Sequence, residues 1–61
     1  MIDQQVISFS VMVALELNEL KKLGVPVSAN ALKCAKDTEL MSEYVDMKTS
    51  DCADLLMNLY P

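Results

Sequence analysis

An all-α fold, an antiparallel helical hairpin followed by a short third helix, is predicted by three features of this sequence. Apolar residues recur at steps of three and four, a lone Gly24 is followed closely by Pro26, and a fresh polar start stands at Thr49-Ser50-Asp51. Steps of three and four hold side chains on one face of a helix. A Gly takes the left-handed conformation that ends a helix, and a Pro cannot continue one, so the chain divides at Gly24.

The first helix is expected over residues 2–23. Ile2, Val6, Phe9, Val13, Leu20 and Leu23 lie 4, 3, 4, 7 and 3 residues apart, a heptad-like face in which Leu17 fills the layer beside Glu16. Lys21 and Lys22 fall in its last turn, where positive charge complements the helix dipole. After the turn, Ser28 or Asn30 can cap a second helix over 29–47 by accepting a bond from a free backbone N–H. Its stripe is Ala31, Cys34, Thr38, Met41 and Val45. The small residues Ala31, Cys34 and Thr38 then face Leu17, Leu20 and Leu23, large against small, which favours close packing.

A third helix is expected over 51–59, with Asp51 and Asp54 in or beside its first turn and Cys52, Leu55, Leu56 and Leu59 on its apolar face. It either folds back or continues the second helix past the end of the first. The capping residues favour a break near Thr49.

With 61 residues the chain makes one domain, and at that size folding buries only roughly 60 % of the surface the unfolded chain exposes. Small scaffolds add disulfides, a metal, self-association or very regular helix packing to such a core. There is no His, and Cys34 and Cys52 lack the further ligands of a structural zinc site, so no metal and no cofactor are expected. On one straight helix the two cysteines would stand about 27 Å apart, far beyond disulfide reach, and they read as buried, reduced thiols. Self-association or very regular helix packing with many buried aliphatic residues remains. Asp3 stands where a signal peptide needs basic residues, and the apolar run 11–15 is far shorter than the about 20 residues of a membrane span. These observations predict a cytoplasmic protein, and the net charge of -4 argues against nucleic acid or an anionic membrane as partner.

A second apolar stripe on the first helix carries the functional expectation. Ile7, Val11 and Leu15 follow one another at i, i+4 steps, roughly opposite the first face, with Met12 beside them. One partner helix cannot cover both sides, and a helix apolar on two faces is expected to be buried on both. Self-association as a dimer or small oligomer, or binding of another protein, is therefore predicted at Ile7, Val11, Met12 and Leu15, stopping where the stripe turns polar at Asn18 and Lys22. The alternative within one chain is that the third segment covers the stripe. A second candidate is an acidic strip of Glu39, Glu43 and Asp46 on one helical face, with Lys21, Lys22, Lys33 and Lys36 gathered near the turn. The plainer reading of that strip is a solvated outer face.

No catalytic residues are expected: there is no His for general acid–base work, no base beside a Ser or Cys, and no Gly-rich phosphate loop. The expectation is a small non-enzymatic protein-binding module, an accessory regulator or inhibitor of a partner, acting through the helical apolar face and the acidic strip. Tiny acidic helical proteins of this kind are frequent among bacterial and phage small reading frames, an association from size and composition alone.

One competing pattern is present. Residues 5–11, Gln-Val-Ile-Ser-Phe-Ser-Val, alternate polar and apolar like a short strand and precede a helix, Gly24 and a second helix opened by Ser28. Over about the first forty-five residues this order resembles the ribbon-helix-helix DNA-binding transcriptional regulators, in which paired strands of a dimer enter the major groove. That resemblance implies that Gln5, Ser8 and Ser10 face bases or backbone. The presumed strand carries no basic residue, although phosphate contacts normally dominate affinity.

Overall fold

The computed structural model describes residues 3–61, so Ile2 of the first predicted face lies outside the described residues. Among the described residues the chain forms four helices and no strand: α1 (Gln4–Lys22), α2 (Ala29–Ala35), α3 (Thr38–Met41) and α4 (Thr49–Leu59). Residues 5–11 lie within α1, which removes the ribbon that the strand reading required.

Asp3 opens α1, its carboxylate accepting from the Gln5 N–H at 3.1 Å. The helix closes at Gly24, which has φ +93°. The Gly24 N–H donates to the Lys21 carbonyl at 3.1 Å and the Val25 N–H to the Leu20 carbonyl at 3.0 Å. This bond pair ends a helix through one left-handed residue, and only Gly adopts that conformation without steric cost. The chain turns away at this point, so Leu23, expected on the buried face, is 79 % exposed and Leu20 is only half-buried.

Ser28 caps α2 as its sequence position predicts, accepting from the Ala31 N–H at 3.0 Å. The same hydroxyl donates to the Tyr60 carbonyl, which fastens the end of the chain to the start of α2.

The single helix expected over 29–47 does not form, and Asp37 is the cause. Its carboxylate accepts from the Glu39 N–H at 3.1 Å and the Leu40 N–H at 3.2 Å. In a continuous helix those donors would go to the carbonyls of Ala35 and Lys36. Asp37 thus ends α2 and caps α3 at once, and the Ala35 carbonyl takes its proton from the Ser10 hydroxyl of α1 instead. Beyond Met41 the bonds from Glu43 to Leu40, Tyr44 to Met41 and Met47 to Tyr44 all run i to i−3, a series of tight turns.

α4 is a separate helix that begins at Thr49, ahead of the expected start at Asp51, with Asp51 in its first turn. It packs against both α1 and α2. The core comprises Val6, Phe9, Val13 and Leu17 of α1, Ala31 and Ala35 of α2, Met41 of α3, and Cys52, Ala53 and Leu56 of α4. Cys34 and Thr38, expected on the inner stripe of one long helix, are half-buried, while Ala35 is fully buried in their place. Small residues at Ala31, Ala35 and Ala53 let the helices meet closely around Leu17, Met41 and Leu56. Each of these large side chains contributes about 1.5–3 kcal/mol by leaving water.

Candidate protein-interaction face

α4 settles on the Val6–Leu17 side of α1 and leaves the other side open. Ile7, Val11, Met12 and Leu15 are 39, 54, 54 and 56 % exposed, so no segment of the described chain covers the second stripe. They do not stand alone. Ile7, Val11 and Leu15 form one wall of a shallow groove of about 350 Å³. Ser10 and Ala14, three residues further along the helix from Ile7 and Val11, form its floor, exposed Asn18 borders it, and Lys36 and Thr38 at the α2–α3 corner close the far side.

The sequence pattern did not show the groove's floor and far wall. Ser10 is a buried polar residue whose partner becomes visible only once α2 is known to end at Ala35. Lys36 and Thr38 reach α1 because the chain breaks between them. The i+3 spacing of Ser10 and Ala14 from Ile7 and Val11 was the available signal for the floor.

Glu39, Glu43 and Asp46 are all exposed, but the single helical face expected to carry them is absent. Glu39 lies on α3, whereas Glu43 and Asp46 lie in the tight turns after Met41. At about three residues per turn, positions four apart no longer stack. Near the loop, Lys22 lies 3.9 Å from Glu19, both well exposed, a pair of small energetic weight.

The cysteines are both free. Cys52 is fully buried with its Sγ 4.0 Å from the Met41 Sδ, and burial pushes its thiol above the ordinary value. Cys34 is half-buried, more open than expected, at a groove of about 450 Å³ shared with Asn30, Lys33, Lys36, Asp37 and Tyr60. No imidazole can serve that thiol as a base, because the chain has no His. Among the described residues no group of three or more Cys, Asp or Glu is placed to hold a metal ion. Nor is any helix among them long and apolar enough to cross a membrane.

No family model matches the chain, and no curated protein or solved structure is significantly similar to it.

Proposed function

We propose that this protein is a non-enzymatic binding module, an accessory regulator or inhibitor, that engages another protein chain through the open face of α1. One observation carries the reading. After α2, α3 and α4 have packed, three large apolar side chains in one row, with Met12 beside them, stay in water next to a ready-made groove. Single exposed apolar residues are ordinary, whereas a contiguous apolar patch next to a polar border marks an interaction surface. The border is supplied by Asn18 and Lys36. Glu39, Glu43 and Asp46 are exposed and keep the folded chain hydrated and negative. The two free thiols suit a reducing, cytoplasmic setting.

The test is affinity capture with nuclease-treated lysate, using the wild-type chain and Val11→Asp as baits. Val11 is 54 % exposed, so the new carboxylate stays hydrated in the free protein and becomes costly only when a partner buries it. The proposal expects a protein held by the wild-type bait and lost from the variant, with equal helicity by circular dichroism. Equal capture by both baits, or capture that disappears with nuclease, would overturn it.

A further inference from the structure

We infer that the groove between α2 and Tyr60 is a ligand site, and that it takes a small organic anion with a flat apolar body, an aromatic carboxylate. It shares only Lys36 with the groove beside Ile7, Val11 and Leu15. Asn30, Lys33, Cys34 and Asp37 follow one another at i, i+3, i+4 and i+7, so one face of α2, extended to Asp37, supplies the first wall. Tyr60 supplies the second. Its place is fixed by the backbone: the Tyr60 N–H donates to the Leu56 carbonyl at 2.9 Å, and the Tyr60 carbonyl accepts from the Ser28 hydroxyl. At about 450 Å³ the groove falls within the range of about 300–1,000 Å³ in which small ligands are held.

Charge selects an anion. Lys33 and Lys36 border the groove, and among the described residues neither has an ion-pair partner, the pair present being Lys22 with Glu19. The one carboxylate there, Asp37, is committed to the backbone, its Oδ1 accepting from the N–H groups of Glu39 and Leu40. The carbonyls that end α2 are taken as well: that of Lys33 by the Lys36 N–H, that of Cys34 by the Asp37 N–H, and that of Ala35 by the Ser10 hydroxyl. In a chain of net charge -4, two ammoniums against one engaged carboxylate make this groove locally positive. The Tyr60 ring offers an apolar surface on which a second ring stacks offset. Its hydroxyl stays protonated as a donor at neutral pH, because Cys34 beside it holds the phenol above its ordinary value. A carboxylate accepts from the ammoniums while its ring lies on Tyr60, whereas a cation of the same shape meets two like charges.

The test is an NMR titration of the full chain with β-naphthoate, compared with β-naphthylmethanol and β-naphthylmethylammonium. About 13 non-hydrogen atoms at the efficiency of ordinary ligands give a Kd near 1 mM, so a titration to about 10 mM approaches saturation. Amide signals of 30–37 and of Tyr60 should move with naphthoate. The alcohol should bind at least about five-fold more weakly and the ammonium more weakly still. An exposed ammonium–carboxylate contact is worth roughly two- to five-fold, so Lys33→Gln, which lies outside the α1 groove, should weaken naphthoate by that factor. The double variant with Lys36→Gln should lose about ten-fold. Both positions are exposed, so the substitutions leave the fold intact. Near saturation, naphthoate should also slow alkylation of the half-buried Cys34 by iodoacetamide at least about three-fold, with fully buried Cys52 as the control.

No shifts over the titration, equal affinity for the acid and the alcohol, equal affinity of wild type and the double variant, an unprotected Cys34, or shifts confined to 7–18 would each overturn the site. Val11→Asp should leave naphthoate binding unchanged, so this site stands or falls separately from the α1 face.

Discussion

Replacing Ser10 by Ala isolates the contact that makes the broken second arm of this fold tenable. The Ala35 carbonyl is buried at the end of α2, and the donor that would reach it in a continuous helix, the Glu39 N–H, is held by Asp37. The Ser10 hydroxyl is what remains for it. Leaving a buried acceptor unpaired costs about 1–3 kcal/mol, while the better helix propensity of Ala returns up to about 0.5 kcal/mol. The net loss is about 1–2 kcal/mol, against a total stability of about 3–9 kcal/mol for a chain of 61 residues. At this size each kcal/mol moves the melting temperature by about 4–8 °C, so Ser10→Ala should melt roughly 5–15 °C below wild type. Thermal and urea unfolding followed at 222 nm read the change. Ser8→Ala, on the exposed side of the same helix, is the control and should stay within about 0.5 kcal/mol. A Ser10→Ala chain as stable as that control would show that the Ala35 carbonyl finds another donor and that the reasoning is mistaken.

Gly24→Ala should cost about 1–2 kcal/mol by urea unfolding, wholly from the left-handed backbone, because an added Cβ there meets nothing within 4 Å. No loss would mean that the turn re-forms with negative φ. Asp37→Ala removes two capping bonds and should cost about 1 kcal/mol. It also frees the Glu39 N–H to bond the Ala35 carbonyl, so the Ser10→Ala penalty should shrink in the double variant, and strict additivity in that cycle would refute the link. Burial holds the Cys52 thiol above its ordinary value of 9.0, so the folded chain keeps that proton more firmly than the unfolded one. Its stabilising contribution is complete below about pH 9 and is lost as pH rises through the folded value, so wild type should lose more stability between pH 8 and 10 than Cys52→Ala does.

The parts legible in the sequence were those governed by local rules. Gly24 and Pro26 fixed the end of α1, Ser28 announced the start of α2, and steps of three and four located Val6, Phe9, Val13 and Leu17 in the core. The break at Asp37 was hidden by the same rule. Ala31, Cys34, Thr38, Met41 and Val45 keep their helical spacing across it, and periodicity does not register a side chain that captures two backbone donors. Ala35 and Ala53 escaped notice because a small apolar residue weighs little in a pattern, yet both are fully buried where helices approach closely. The stripe at Ile7, Val11 and Leu15 was legible as a row. Which side of α1 would receive α4 was not, since that depends on where the turns after Met41 release the chain.

The break and the open face are connected physically. An unbroken helix over 29–47 would be about 28 Å long, equal to α1, and α4 would then begin beyond the far end of the pair. Ending α2 at Ala35 shortens that arm, so the chain returns in time for α4 to pack on both α1 and α2 and to complete the core around Val13 and Leu17. With that side filled, Ile7, Val11 and Leu15 are left outside, and the corner created by the break supplies Lys36 and Thr38 as the wall of their groove. Ser10 belongs to both structures: it satisfies the Ala35 carbonyl and lines the floor of the groove. Weakening that hydrogen bond should therefore loosen the groove as well as the fold. Association through the α1 face is expected to decline in Ser10→Ala even at temperatures where the variant remains fully helical.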